Sequence, residues 1–139
     1  MNPGLRLLLV DDDDNDLTLF KAAVAKTRLP IEVEGVSNGQ QAINRLERVR
    51  GDEPGPDVII LDLHMPLKNG LEFLAWRKSS CYAAVPVVVF TGVGDMKERA
   101  SALASGANLV LEKPLAFREL VEVVRGIGSI TFESSSAAP

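Results

Sequence analysis

Five short segments of apolar or alternating residues divide the chain, and a stretch with helical periodicity follows each of them. Four are apolar runs, whereas 31–36 alternates apolar and acidic side chains, as a strand does. The runs at 58–61 and 85–90 are apolar on both faces, which is typical of central parallel strands. The pattern predicts strands at 7–10, 31–36, 58–61, 85–90 and 108–111.

Apolar residues recur three, four or seven positions apart after each strand, as the buried face of a helix requires. In the first helix these residues are Leu17, Phe20 and Val24, preceded by a run of acids at 11–14 and by Asp16. We interpret Asp13, Asp14 and Asp16 as solvated or helix-capping acids, the common role of such residues. The later helices are marked by Ala42, Ile43, Leu46 and Val49; by Leu71, Leu74 and Ala75; by the segment 96–105; and by Phe117, Leu120, Val121 and Val124.

Five strand–helix units in series predict an α/β fold with a parallel sheet, because right-handed crossovers of this length place helices on both faces. The expected strand order is 2-1-3-4-5. The domain is expected to occupy residues 1–126. Residues 127–139 form a C-terminal extension, and its small-residue end, 134–139, is expected to be disordered.

The composition and net charge of the chain argue against several classes of protein. The 139 residues are 46% apolar and carry a net charge of −4, which opposes binding to nucleic acids and to anionic membranes. The apolar runs are far shorter than the ~20 residues that span a bilayer. The single cysteine, Cys81, cannot form an internal disulfide and is typical of a reducing cytoplasm.

Polar side chains stand at the carboxyl ends of four predicted strands. Asp11 and Asp12 end the first strand, Asp62 the third, Thr91 the fourth and Lys113 the fifth. In open parallel sheets the ligand crevice lies at this edge, where the strand order reverses. These five residues are therefore expected to converge, with the three carboxylates between strands one and three.

Three carboxylates in one crevice repel one another, so the cluster must hold protons or recruit a cation. Mg²⁺ is the expected cofactor, since it prefers oxygen ligands and commonly takes carboxylates together with phosphate oxygens. A carboxylate can also act as a nucleophile toward phosphorus and form an aspartyl phosphate. Lys113 would then neutralise the phosphoryl oxygens, and the Thr91 hydroxyl would donate to them.

With these motifs the sequence resembles the receiver domains of two-component response regulators. The resemblance rests on four separate motifs: Val10-Asp11-Asp12; Asp62-Leu-His-Met-Pro66 with Asn69-Gly70; Thr91-Gly92; and Lys113-Pro114. It implies a flavodoxin-like, CheY-like fold and a phosphoacceptor that signals by protein contact, with at most self-catalysed phosphorylation and dephosphorylation. It further implies that Asp62 accepts a phosphoryl group from a histidine kinase. The implied metal ligands are Asp11, Asp12, Asp62 and the backbone carbonyl of His64.

Two features further resemble the small response regulators that pair with phytochrome-type histidine kinases. These are the long loop before the third strand and the apolar residues Ile127, Ile130 and Phe132. Since only residues 126–139 remain after the fifth helix, we expect a stand-alone receiver. The apolar residues predict either a homodimer through the last helix and the extension or a segment that packs on its own domain. A lysine that points back into the crevice before a turn, together with the resemblance, predicts a cis peptide bond between Lys113 and Pro114.

One position departs from the family. Receivers usually carry an aromatic residue three positions before the lysine, where its rotamer reports phosphorylation, and here that residue is Val110. This favours an alternative hypothesis, a phosphorylation-independent interaction module with the receiver fold. A phosphatase with an aspartyl nucleophile is a third hypothesis, but it usually needs an acid two residues after the nucleophile, where His64 stands.

Overall fold

Five parallel strands alternate with five helices in the computed structural model. It describes residues 4–49, 55–63, 70–92 and 94–137, with side chains to residue 128. The sheet has the strand order 2-1-3-4-5, so the predicted fold class is confirmed. The elements are β1 (Leu5–Val10), α1 (Asp14–Thr27), β2 (Ile31–Val36), α2 (Gly39–Glu47), β3 (Val58–Asp62), α3 (Gly70–Lys78), β4 (Val87–Thr91), α4 (Met96–Ala104), β5 (Leu109–Glu112) and α5 (Phe117–Ala137).

Apolar side chains fill two layers, one on each face of the sheet. Because neighbouring strand residues point to opposite faces, Ile59 and Ile60 belong to different layers although both are fully buried. One layer joins the sheet to α2, α3 and α4, and the other joins it to α1 and α5. This two-sided covering explains why β3 and β4 carry no polar residue before their ends.

Strand boundaries differ slightly from those predicted. The fourth strand begins at Val87 rather than at 85, since Pro86 has no N–H to donate to a neighbouring strand. The third strand includes Asp62, the fourth Thr91 and the fifth Glu112. Of the predicted site residues, Asp62 and Thr91 are thus held within strands, whereas Asp11, Asp12 and Lys113 directly follow the ends of β1 and β5.

Arg77 ties the amino-terminal edge of the sheet to α3. The residue is 3% exposed, and its guanidinium donates to the Val85 carbonyl through Nε and Nη2, at 3.1 and 2.6 Å. It also donates to the Gly106 carbonyl and to the Asn108 side chain. Burial lowers the pKa of this arginine from its ordinary value, and the carbonyl oxygens take the place of water around its charge.

The last helix continues past the predicted domain boundary. Ile127 is buried among side chains of α1, α5 and the sheet, so at this position the extension packs on its own domain. The helix reaches Ala137, through residues that the sequence predicts to be disordered, since extending a formed helix adds one hydrogen bond per residue. The side chains of Ile130 and Phe132 lie outside the described residues, and the homodimer stays a prediction.

No helix in the described ranges has the length and apolarity to cross a membrane.

Candidate functional site

Three carboxylates meet at the carboxyl edge of the sheet. One oxygen from each of Asp11, Asp12 and Asp62 lies within 4.8 Å of the others. Asp11 and Asp62 are buried, whereas Asp12 is exposed. The Oδ1 of Asp11 accepts a hydrogen bond from the backbone N–H of Asp13 at 2.9 Å, which fixes the orientation of that carboxylate.

Lys113 reaches this cluster from the end of β5. Its Nζ lies 3.3 Å from Oδ2 of Asp62 and 3.4 Å from Oδ2 of Asp11. The shortest ion pair of Lys113 is with Asp16, whose Oδ2 also accepts a hydrogen bond from Nζ. One ammonium group therefore bridges three carboxylates, two buried and one more exposed.

The cluster raises the pKa of both Asp11 and Lys113, which disfavours the charge of the acid and favours the charge of the lysine. The pKa of Asp11 is raised from 3.8 to about 7, chiefly by burial and also by a hydrogen bond with Asp16 and the charge of Asp62. The Asp13 N–H and the charge of Lys113 act against this rise. For Lys113, burial lowers the pKa, but Asp16, Asp62 and Asp11 together lift it above its ordinary value. The lysine stays charged, and the carboxylates hold more negative charge than one lysine balances.

Thr91 ends β4 beside this cluster and is buried. Its hydroxyl lies 3.5 Å from the carbonyl oxygen of Leu111, at the outer limit for a hydrogen bond, while its own carbonyl accepts the Lys113 N–H at 2.8 Å. A hydroxyl so weakly bound can turn to a stronger acceptor at little cost.

Comparison with known proteins places this geometry in a family. The model of the response regulator receiver domain matches residues 7–125, which include all four strand ends that form the site. The chain belongs to this receiver domain family. It is 36% identical over 124 residues to the transcriptional regulatory protein TrcR of Mycobacterium tuberculosis, and it covers only 45% of that protein's length.

Two solved structures resemble this receiver domain over most of both chains. One is the phosphorylated cyanobacterial phytochrome response regulator RcpA, 29% identical, with a TM-score of 0.82 over 94% of this chain and 96% of that one. The other is the Mn²⁺-bound response regulator Rcp1, also 29% identical, with a TM-score of 0.76 over 90% of this chain and 92% of that one.

The peptide bond between Lys113 and Pro114 is trans, so the prediction of a cis bond was wrong. No cis peptide bond occurs in the part of the chain that the structure describes. The prediction assumed that a turn in the backbone must aim the lysine inward. Instead the Lys113 N–H donates to Thr91 on the neighbouring strand, and the side chain alone spans the distance to the acids.

Asp16 is the functional residue that the sequence pattern missed. Its position in the first turn of α1 suggested a role at the helix end, but the cap is Asp13, whose side chain accepts the N–H of Asn15. A clue was available in the helical spacing. Phe20, four residues on, is buried, so Asp16 lies on the inward side of α1, where the helix begins above the sheet edge.

Of the motif that runs from residue 62 to residue 70, the structure describes Asp62, Leu63 and Gly70. His64 and Asn69 lie outside the described residues, so the role of the His64 carbonyl stays a prediction. Gly70 begins α3, and a Cβ there would clash with Cδ2 of Leu63. A side chain at position 70 would thus press on the residue next to Asp62.

Val110 occupies the place of the usual aromatic residue. It is 2% exposed and packs in the layer that joins the sheet to α2, α3 and α4. Close to it in sequence, the Glu112 carboxylate accepts the Gly94 N–H of the loop before α4 at 3.4 Å. This hydrogen bond joins the end of β5 to the loop before α4.

Proposed function

We propose that Asp62 accepts a phosphoryl group from a partner histidine kinase and that the phosphorylated receiver signals by protein contact. The observation that carries this proposal is the position of Asp62, a buried carboxylate with an ammonium nitrogen 3.3 Å from its oxygen and two further acids beside it. A nucleophilic carboxylate for phosphoryl transfer needs cationic groups that neutralise the phosphoryl oxygens.

The transfer is an in-line displacement at phosphorus. An oxygen of Asp62 forms the new O–P bond, the P–N bond of the kinase's phosphohistidine breaks, and its electron pair stays on the imidazole nitrogen. Negative charge on the transferred oxygens is met by Lys113 Nζ and by the Thr91 hydroxyl, which leaves its weak contact with Leu111. Hydrolysis later returns the free carboxylate and inorganic phosphate.

The acids fit a divalent cation with oxygen ligands. Asp11, Asp12 and Asp62 supply three carboxylates, two of them buried, which is the donor chemistry that Mg²⁺ prefers. When bound, the cation neutralises charge on the carboxylates and on phosphoryl oxygens. The resemblance to Mn²⁺-bound Rcp1 supports a divalent cation here. The His64 carbonyl is proposed as a further ligand from the motif that follows Asp62.

The proposed kinase partner is of the phytochrome type, and the expected compartment is the cytoplasm. Support comes from the resemblance to RcpA, described as a phosphorylated phytochrome response regulator, over 94% of this chain. The receiver acts as a phosphoacceptor in this proposal, with no turnover of a separate substrate.

Intact-mass measurement after incubation with acetyl phosphate and Mg²⁺ tests the proposal. The expected result is the addition of one phosphoryl group to the wild type and none to Asp62→Asn, which keeps the shape but lacks the nucleophile. A mass shift retained in Asp62→Asn overturns the assignment of Asp62. Transfer from a radiolabelled phytochrome-type kinase tests the partner separately, with a kinase of another class as the control.

A second candidate is the phosphorylation-independent module, favoured by Val110. A buried valine has no ring to move between inward and outward positions, so the output surface would keep one form. Failure of the wild type to gain mass with acetyl phosphate, while circular dichroism shows a folded protein, favours this candidate over the first.

A further inference from the structure

Asp16 holds the lysine of the site without belonging to the group of carboxylates that fit the metal. Among the described residues, that group contains Asp11, Asp12 and Asp62. Asp16 instead forms the shortest of the three ion pairs of Lys113, and its side chain is 25% exposed, against 6% for Asp62. The two acids therefore differ in role, although both contact the same nitrogen.

An ammonium group has three N–H donors. Among the described residues, Lys113 Nζ donates to three carboxylates, those of Asp11, Asp16 and Asp62. A phosphoryl group on Asp62 brings new anionic oxygens that need the same donors. Any donor held by Asp16 must then be shared or withdrawn. The negative charge of Asp16 also opposes the approach of an anionic phosphoryl group.

We propose that Asp16 is a positioning residue that competes with the phosphoryl group for Lys113 and so restrains the phosphorylated state. This inference rests on the proposed phosphoacceptor function and deepens it. In the unphosphorylated receiver, Asp16 keeps Lys113 Nζ beside Asp62. In the phosphorylated receiver, its pull lowers the stability of the contact between Lys113 and the phosphoryl oxygens.

The test measures the affinity for beryllofluoride, a phosphoryl mimic, at saturating Mg²⁺, by ¹H–¹⁵N NMR of the full chain. Asp16→Asn removes the competing charge and is expected to tighten binding about two- to fivefold, the range of a partly exposed ion pair. Asp14→Asn is the matched control, because it makes the same charge change at an exposed position of the same turn. Asp16→Glu restores the charge and is expected to return the affinity to that of the wild type.

A second measurement separates positioning from a general effect on the fold. Mg²⁺ affinity, measured by calorimetry without beryllofluoride, is expected to change equally in Asp16→Asn and Asp14→Asn, since neither variant removes a carboxylate of the metal-fitting group. A tighter beryllofluoride complex in Asp16→Asn alone, reversed in Asp16→Glu, supports the proposal.

Three results overturn it. Equal or weaker beryllofluoride binding in Asp16→Asn shows that Asp16 does not compete for the lysine. An equal gain in Asp14→Asn shows that only net charge matters. If the wild type binds no beryllofluoride at any Mg²⁺ concentration, the phosphoacceptor function itself fails, and the inference about Asp16 fails with it.

Discussion

Asp11→Asn is expected to stabilise the metal-free protein, because Asp11 is held where its charge is unfavourable. The carboxyl is 8% exposed, and burial raises its pKa from 3.8 to about 7. The folded state therefore binds this proton more tightly than the unfolded state does. By linkage, the contribution of Asp11 to stability is most favourable below about pH 4, declines as the pH rises toward 7, and stays unfavourable above it.

The magnitude follows from the size of the pKa shift. A rise of about three pKa units at about 1.4 kcal/mol each sets the cost of ionising folded Asp11 at up to about 4 kcal/mol at pH 8. At pH 5 the same linkage leaves less than about half of that cost, since folded Asp11 is then largely protonated. Asparagine keeps an oxygen that can accept the Asp13 N–H and carries no charge at either pH.

Urea unfolding in EDTA at pH 5 and pH 8 measures the difference between the wild type and Asp11→Asn. We expect the variant to be more stable by about 2–4 kcal/mol at pH 8 and by a smaller margin at pH 5. Asp14→Asn, an exposed acid in α1, controls for the change in net charge. Adding Mg²⁺ at about 100 times its Kd is expected to stabilise the wild type by about 2.7 kcal/mol, and the variant by less.

Two results would refute this reasoning. A variant less stable than the wild type at pH 8 in EDTA would show that the pairing of Asp11 with Lys113 outweighs its desolvation. An equal difference at both pH values would show that Asp11 does not titrate in this range.

Three further substitutions test other parts of the structure. Asp12→Ala removes an exposed metal-fitting carboxylate, so calorimetry should show weaker Mg²⁺ binding while urea unfolding in EDTA stays within about 0.5 kcal/mol of the wild type. Ile127→Ala opens a space in the core and should cost about 2–4 kcal/mol in urea unfolding at any protein concentration, whereas a dimer contact would make the loss depend on concentration. Arg77→Lys cannot keep the two bonds to Val85 together with those to Gly106 and Asn108, so it should lower stability by about 2–4 kcal/mol; an unchanged urea midpoint would contradict that role.

The parts of the fold that follow from hydrophobic periodicity could be predicted from the sequence. An apolar run that is buried on both faces, such as β3, predicts a central strand. A polar residue that ends such a run is then expected at the carboxyl end of the sheet. Asp62 and Lys113 were predicted together for that reason. The strand boundary at Pro86 was missed because the apolar pattern says nothing about which N–H groups are present.

The remaining features depend on side-chain paths and tertiary contacts that periodicity does not encode. Asp16 looks like any first-turn acid until the direction of α1 over the sheet edge is known. The peptide bond before Pro114 is trans, and the pattern of apolar and polar residues does not distinguish the two isomers. Ile127 could equally have packed inward or met a second chain, and its place against α1 depends on how α5 lies on the sheet.

The site combines residues from distant parts of the chain, so it forms only when the whole sheet has folded. Lys113 and Asp11 are 102 positions apart, and Lys113 and Asp62 are 51 apart, so the cluster closes only after the last strand has joined the sheet. A nascent or partly unfolded receiver lacks β5, and its Asp62 then has no ammonium group beside it. Under the proposed phosphoacceptor function, such a chain lacks the lysine that neutralises the phosphoryl oxygens, so only molecules with a complete sheet would accept the group.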